Sequence, residues 1–547
     1  MAWPRRNGPV AGLLLALVAA GTLLIALGWS LTFFQDTWAF LLERPGLTSD
    51  SLLTPHNEHL VVFQVALEKL LVEIFGMTSA RPEMLVMTAT LLGCAALLFV
   101  YVCRRVGPWP ALMAAVLLLF LGSGWQVQLW AFEIEFTMPL LCGLAMLLLL
   151  DRDDPAADAW SCLLLIVGIG FGSLGLSFAA AALVDVFLKR RQRGWGRIWF
   201  VVVPLLFYAA WYVGWGRDAE HHLTLRNILD SPPYVFDGFA SSVGSLAGLS
   251  TTPVVGVGQP EWGRPLLVAL AVLAALGLRR RPLPATFWPV AAAAFSFWLL
   301  AAFNYIPGRE ATSLRYVYAG SAFSLLLAAE LLRGVRFSSR ALLIGAALVV
   351  VVVMPNLVQM KDGANWLEEQ SALTRADIGA MEIAERTISP DFVLSPEVAG
   401  TGSLINVDAA ELFPAVEEHG SPGYSPGELA EAPLNARHYA DVVLSRALPL
   451  SVEVHEGGLR RTSPVSKCVE QAPGGEVELE PGVSRVEVAP GEEAILELRR
   501  FAEGEYPVAT EGSPGGSTTV LRIPRDKATR PWYLHVEADQ MVRVCPA

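Results

Sequence analysis

The sequence predicts a polytopic α-helical membrane protein of about eleven transmembrane helices, followed by a C-terminal extracytoplasmic β-rich, sandwich-like domain. The 547-residue chain is 53% hydrophobic and 17% charged, and its mean hydropathy is +0.46. Soluble globular chains are nearer 25% charged. Apolar runs such as "GLLLALVAAGTLLIALGWSL" and "MLVMTATLLGCAALLFVYVC" are long enough to cross about 30 Å of hydrocarbon. The tail instead carries short runs that alternate polar and apolar residues, the period of β-strands.

The long apolar runs locate the transmembrane helices. The first run follows two arginines, but it is long and lacks a small-residue cleavage site, so we interpret it as a retained helix rather than a signal peptide. The segment 59–77 carries charged residues along one helical face, which favours a helix lying on the outer leaflet. The predicted spans are residues 9–30, 83–103, 108–123, 137–150, 158–172, 173–188, 197–214, 265–278, 285–303, 314–332 and 340–356.

The basic residues indicate how the chain is oriented. If the N-terminus is cytoplasmic, 16 Lys and Arg residues fall on the inner side and 8 fall on the outer loops before residue 357. This is the bias that the positive-inside rule describes. An odd number of spans then exports the C-terminus. The scarcity of lysine relative to arginine is typical of a GC-rich bacterial source, so we expect a multi-pass protein of the bacterial plasma membrane.

Composition divides the chain into three parts. Residues 1–356 form the predicted transmembrane domain, with outer loops at 31–82, 124–136, 215–264 and 304–313. Residues 357–390 are predicted to form an exported linker helix. Residues 391–547 are predicted to form an acidic β-rich domain, because residues 361–547 contain 31 acidic and 16 basic side chains and turn signals recur at sandwich-like spacing. Cys468 and Cys545 lie in this exported part, which predicts a disulfide between them.

Ionisable and aromatic residues gather in the predicted outer loops. Such groups are costly at membrane depth unless a cavity or a partner justifies them, so they mark a functional site by default. The candidates are Asp36, Trp38, His56, Asn57, Glu58, Glu133, Glu135, Arg309, Arg315 and Tyr316.

Each candidate also has a structural interpretation. Asp36 could cap the short helix that follows it. His56 and His59 could anchor a loop rather than bind a metal ion. Glu133 and Glu135 could lie on a solvated loop face, and Arg315 could extend its side chain to the lipid headgroups.

The layout resembles the GT-C superfamily of integral-membrane glycosyltransferases over roughly residues 1–360. The shared features are a large first outer loop that opens with an acid ("QDTWAF"), an interfacial helix, further spans, a late outer "RxxxxxRY" that enters a helix, and an exported C-terminal domain. The resemblance implies transfer of a sugar from a polyprenyl-phosphate carrier to an acceptor outside the cytoplasm. Gln35 and Thr37 flank the acid where many members have a second acidic residue, and "PHNEH" has no general counterpart in the superfamily.

The resemblance implies that Asp36 matches the catalytic acid and that Glu133 or Glu135 takes the place of the second acidic motif. A carboxylate must take the proton of a sugar hydroxyl as the new bond forms. Asp36 is the predicted general base, and Glu58 is the alternative candidate for that role.

The remaining candidates suit substrate binding. Arg309 and Arg315 could stabilise the departing phosphate through charge-assisted hydrogen bonds. Trp38 and Trp130 offer apolar faces for a sugar ring or a prenyl chain. His56, Asn57 and Tyr316 complete the predicted binding residues.

We therefore expect three partners: a polyprenyl-phosphate-linked sugar, an envelope glycan acceptor and the lipid bilayer. Nucleic acid is not expected. The sequence contains no CxxC, HExxH or phosphate-loop motif, so no cofactor is indicated. A divalent metal ion is nevertheless compatible with the acidic residues. Two other interpretations stay open: a transporter or flippase of a lipid-linked glycan, favoured by the glycine-rich "GIGFGSLGLS", and a non-catalytic, envelope-binding membrane scaffold.

Overall fold

The structure is a computed structural model in which 65% of the described residues are helical and the C-terminal region is strand-rich. The chain divides into two compact units. The first unit comprises Met1–Ser30, Pro45–Leu71 and Arg81–Trp366, and the second comprises Leu31–Arg44, Val72–Ala80 and Leu367–Ala547. The structure describes residues 4–44, 46–152, 154–250, 253–254, 258–279, 281–396, 406–448, 450–455, 468–487, 493–509, 513–514, 516–528, 530–538 and 541–546.

Helices make up most of the first unit and also open the second. In chain order, the α-helices of the described residues are α1 (Pro4–Gly28), α2 (Thr37–Leu42), α3 (Ser49–Leu53), α4 (Val62–Phe75), α5 (Arg81–Arg105), α6 (Pro108–Leu119), α7 (Trp125–Leu129), α8 (Ile134–Leu149), α9 (Pro155–Phe171), α10 (Leu174–Arg193), α11 (Trp199–Gly214), α12 (Leu225–Leu229), α13 (Ser231–Leu246), α14 (Gly263–Leu278), α15 (Phe287–Phe303), α16 (Leu314–Leu331), α17 (Ser339–Ala384), α18 (Ala409–His419), α19 (Pro426–Glu431) and α20 (Leu434–Ala447).

Several of these helices can cross a membrane, so the chain is a multi-pass membrane protein. Within the described residues, α1, α5, α8, α11 and α17, some with a preceding turn, are long and apolar enough, and a sixth span results if α6 and α7 act together across a 48° bend. Each of the eleven predicted spans coincides with a helix, but the number of crossings stays a prediction. The segment 59–77 contains α4, as expected, and α17 continues without a break through most of the predicted linker.

Buried charges in the first unit are paired where helices end. The Glu330 carboxylate on α16 accepts hydrogen bonds from the Tyr101 hydroxyl (2.6 Å) and from Arg105 on α5. Arg197 bonds Asp158 on α9 (2.6 Å) and also contacts Asp185. Removing one partner of such a buried pair costs about 3–5 kcal/mol. These networks therefore hold helix ends together.

The second unit ends in two five-strand arrangements. One sheet has the order β3-β10-β6-β12-β4, and the other has the order β5-β11-β7-β8, with β9 also paired to β7; β1 pairs with β2. Apolar residues of both large sheets belong to one hydrophobic core, while the sandwich-like arrangement stays a prediction. The strands are β1 (Val393–Leu394), β2 (Val407–Asp408), β3 (Ser451–His455), β4 (Val469–Gln471), β5 (Glu476–Leu479), β6 (Gly482–Glu487), β7 (Glu493–Arg499), β8 (Val508–Ala509), β9 (Ser513–Pro514), β10 (Thr518–Ile523), β11 (Trp532–Glu537) and β12 (Val542–Pro546).

A disulfide and a hydrogen-bonded carboxylate also connect elements of the second unit. The predicted disulfide between Cys468 and Cys545 is present, and it joins the chain just before β4 to the neighbouring strand β12. The Asp441 carboxylate on α20 accepts the backbone N–H groups of Arg500, Phe501 and Ala502 at 2.8–3.0 Å, just after β7. This carboxylate therefore ties a helix to a sheet.

Candidate functional site

A tight turn presents Glu58 at the start of the site. His56 and His59 exchange backbone hydrogen bonds of 3.2 and 2.9 Å, and Asn57 between them has φ +51°. Among the described residues that are not glycine, Asn57 and Gln35 are the ones with positive φ. A non-glycine residue in this region carries a conformational cost, and such strain clusters at functional sites. Each of these two residues directly precedes a predicted carboxylate, Glu58 or Asp36.

Glu58 is paired with Arg309, which lies 251 positions further along the chain. The Arg309 guanidinium donates a hydrogen bond of 2.5 Å to Glu58 Oε1, and only about a tenth of each side chain is exposed. His59 Nε2 lies 3.6 Å from the same oxygen. Glu58 Oε2 is buried and makes no hydrogen bond with another described residue. One carboxylate oxygen is therefore anchored, while the other is available.

The charges of this cluster are set by burial and by Arg309. Burial alone would raise the pKa of Glu58, but His59 and Arg309 together hold that pKa below its ordinary value. The pKa of His59 is lowered to about 4, mainly because burial outweighs the raising effect of Glu58, and nearby positive groups, Arg309 first among them, act in the same direction as burial. Since His59 is neutral at pH 7, Arg309 supplies the positive charge that keeps Glu58 ionised there.

A cavity of about 60 Å³ adjoins Glu58. His59 Nδ1 is 2.5 Å from Ser173 Oγ, at the break between α9 and α10. Glu135 also lines the cavity, in the first turn of α8. A side chain on Gly172 would meet the Glu135 backbone oxygen at 2.7 Å, so only glycine lets these two segments approach. The lining also includes Phe136, Leu174, Ser177, Phe297, Leu300, Ala301, Asn304 and Tyr316.

The late "RxxxxxRY" motif enters α16 beside this cavity. Tyr316 lies in the first turn of α16, and its ring packs against Phe136 (5.9 Å) and Phe297 (6.2 Å). The Arg315 guanidinium lies 5.6 Å from the Tyr316 ring centroid. The electrostatic neighbours of Tyr316 include both arginines of the motif, Glu58 and Glu135. The structure therefore brings together predicted residues from three separate loops.

Other predicted residues lie around this cluster. The His56 ring packs against Phe132 at 5.4 Å, and Phe132 in turn stacks on Trp130 at 5.5 Å. Glu133 is almost fully buried, which excludes the solvated loop face considered above. Asn57 is exposed at the tip of its turn. Their predicted contacts with a sugar stay predictions.

Asp36 and Trp38 belong to the second unit. Trp38 is fully buried in its hydrophobic core, where the indole nitrogen donates to the Phe33 carbonyl. The prediction that Trp38 offers a free face to a substrate is therefore wrong, because core side chains cover the ring. Asp36 precedes α2 and is partly exposed, and its side chain does not cap that helix. Its predicted role as a base stays a prediction.

Two residues of the cluster carry roles that we did not predict from the sequence. Ser173 holds His59, and Tyr234 donates from its hydroxyl to the Arg309 carbonyl at 2.8 Å. In the sequence, the glycine-rich segment "GIGFGSLGLS" marks the helix break that contains Ser173. Among the described residues, no group of three or more His, Cys, Asp and Glu side chains is arranged to hold a metal ion.

Comparison with known proteins gives matches at the level of structure. No protein-family model matches the chain, and no curated protein matches it. A crystal structure of ArnT from Cupriavidus metallidurans bound to undecaprenyl phosphate is similar, with a TM-score of 0.48 and 14% identity over 71% of this chain and 82% of that chain. The apo state of the same protein gives 0.41 and 14% over 70% and 82%. At these values, no residue role is transferred from ArnT to this chain.

Proposed function

We propose that this protein is a membrane glycosyltransferase that transfers a sugar from a polyprenyl-phosphate carrier to an extracytoplasmic acceptor. The observation that carries the proposal is the buried Glu58–Arg309 pair, which lies beside a cavity that Glu135 and Tyr316 also line. A carboxylate with one free oxygen and a nearby guanidinium are the two groups that the reaction requires.

In the proposed step, the acceptor hydroxyl oxygen forms a bond to C1 of the donor sugar as the C1–O bond to phosphate breaks. The hydroxyl proton passes to a carboxylate, and the bonding electron pair leaves with the polyprenyl phosphate. Asp36 remains the proposed base on the basis of the GT-C resemblance, and Glu58 remains the reserve. No nucleotide takes part in this step.

The geometry of the pair suits both halves of this step. Arg309 uses one nitrogen to hold Glu58 Oε1, and a guanidinium has five N–H donors in all. Its remaining donors can stabilise a phosphate that gains negative charge, together with Arg315. Glu58 Oε2 can accept a hydrogen bond from a sugar hydroxyl. The pair thus positions a sugar next to its leaving group.

The proposal includes a cellular setting. We place the enzyme in the bacterial plasma membrane with its N-terminus in the cytoplasm, eleven spans, and an exported sandwich-like domain. An envelope glycan is the proposed acceptor. The positive-inside bias and the acidic composition of residues 361–547 support this orientation.

Deletion of the protein tests the proposed function. We expect one polyprenyl-phosphate sugar to accumulate among the lipid-linked sugars of the deletion strain. The wild-type chain and Glu220→Gln, which changes an exposed acid of an outer loop, should restore the normal profile, whereas Glu58→Gln and Arg309→Ala should not. An unchanged profile of lipid-linked sugars in the deletion strain would refute the proposal.

A further inference from the structure

A second, larger cavity lies in the first unit, and we propose that it binds the acceptor as an uncharged sugar. This inference rests on the proposed function, because it supplies the acceptor side of the same reaction. The cavity has a volume of about 760 Å³, within the range of about 300–1,000 Å³ that is typical of ligand sites. Residues from α12, α13, the end of α15 and the loop after α15 line it.

The loop after α15 separates the two cavities. Asn304 lines the smaller cavity, whereas its neighbour Tyr305 lines the larger one. Arg309 reaches Glu58 at the smaller cavity, whereas Glu310 lines the larger one. Adjacent residues of one loop therefore face two sites. A sugar in the larger cavity would lie one loop away from the Glu58–Arg309 pair.

The wall of the larger cavity is held in place by hydrogen bonds. The Asn227 amide donates to the backbone carbonyls of Phe303 (3.2 Å) and Tyr305 (3.0 Å), which fixes the end of α15. The Tyr234 hydroxyl donates to the Arg309 carbonyl. The cavity is therefore preformed, and its position relative to the catalytic pair is constrained by Tyr234.

The polar side chains of the cavity suit sugar hydroxyls. Asp230, Asp237 and Glu310 are acceptors for hydroxyl hydrogens. The Arg264 guanidinium donates hydrogen bonds of 2.7 and 2.8 Å to the two carboxylate oxygens of Asp237. Glu310 accepts a hydrogen bond of 3.0 Å from the Gly308 N–H. Their carboxylates are thus oriented before a ligand arrives.

Aromatic rings and net charge narrow the ligand class. The rings of Tyr234 and Tyr305 lie 5.9 Å apart in an edge arrangement, and such rings pack against the C–H face of a sugar. The lining contains three carboxylates and the guanidinium of Arg226, which pairs with Asp230, while Arg264 pairs with Asp237. With both arginines counted, one negative charge remains at the cavity. This balance disfavours a phosphate or a uronic acid, so we assign the cavity to a neutral hexose unit.

Saturation-transfer NMR on the full chain in detergent tests the assignment. The probes are the methyl glycosides of glucose, galactose and mannose, with glucuronate as the anionic probe. Pro233 and Pro232 are adjacent, exposed residues in the first turn of α13, but only Pro233 lines the cavity. Pro233→Trp should fill part of the cavity, and Pro232→Trp is its matched control.

We expect at least one neutral glycoside to receive saturation from the wild type and from Pro232→Trp, with a loss of several-fold in Pro233→Trp and a weaker signal for glucuronate. The assignment is refuted if no neutral glycoside binds the wild type, if Pro233→Trp binds as the wild type does, or if glucuronate binds as well as the neutral probes. The lipid-linked sugar profile of the deletion strain is a separate readout. If the lipid-linked sugar profile is unchanged but the glycosides still bind, the transferase proposal is refuted and the assignment of the cavity to a neutral sugar is retained.

Discussion

Replacing Arg309 by Gln removes the positive charge that keeps Glu58 ionised. Burial raises the pKa of Glu58, and the interactions with His59 and Arg309 outweigh burial in the wild type. Of these two residues, Arg309 carries the positive charge at pH 7, because the pKa of His59 is about 4. A hydrogen bond to a charged group is worth about 1.5–3 kcal/mol, and one pKa unit corresponds to about 1.4 kcal/mol. Loss of the 2.5 Å bond should therefore cost the ionised form of Glu58 about 1.5–3 kcal/mol and raise its pKa.

The assay is the pH dependence of kcat/KM for release of polyprenyl phosphate, which reports ionisations of the free enzyme. In the wild type, the depressed pKa of Glu58 keeps its carboxylate charged down through mildly acidic pH. In Arg309→Gln, the pKa of Glu58 is higher, so activity should fall away at a higher pH than in the wild type. Arg217→Gln, which changes an exposed arginine between α11 and α12, should leave the profile unmoved. An acidic limb at the same pH in Arg309→Gln and in the wild type would refute the reasoning.

Three predictions concern stability. Burial raises the pKa of Asp441 to about 6, so the proton that it binds in the folded state contributes about 3 kcal/mol below pH 4, and this contribution is lost as pH rises through 6. Asp441→Asn should remove that dependence, as measured by amide exchange of residues 493–509 at several pH values. Replacing Cys468 and Cys545 by Ser opens a loop of 77 residues and should cost the C-terminal strands about 4 kcal/mol, as measured by denaturant-dependent exchange; an unchanged midpoint would contradict this. Arg197→Ala leaves the buried Asp158 carboxylate without its guanidinium partner, whereas Asp185 keeps Lys189 at 2.8 Å. The change should cost about 3–5 kcal/mol, seen as a lower thermal midpoint in detergent.

The sequence predicts positions of elements better than contacts between them. Long apolar runs are visible directly, so a helix lies at every predicted span, and the two cysteines of the predicted exported part gave the Cys468–Cys545 bond. Periodicity did not predict that α17 continues through the predicted linker. It also missed the helices α18 to α20 that precede the sheets, because their short amphipathic turns lie among proline and glycine residues.

The site shows the same limit more sharply. The residue types "NEH" and "RxxxxxRY" indicated chemistry, but the pairing of Glu58 with Arg309 depends on the packing of helices far apart in sequence. Trp38 was misjudged because a tryptophan in a predicted loop does not reveal whether the ring is covered. Ser173 was missed because the neighbouring glycine break gave no information on which side chain would meet His59.

The most direct test of the proposed transferase is cleavage of a polyprenyl-phosphate hexose, labelled in the sugar, by the purified full chain in detergent. The wild type should release polyprenyl phosphate when an envelope glycan fraction from the deletion strain is added, with transfer of label to that fraction. Asp36→Asn and Glu58→Gln should each slow this release by about 10²-fold or more. A wild type that leaves the donor intact, as a transporter would, or variants at both carboxylates that match the wild-type rate, would contradict the proposal.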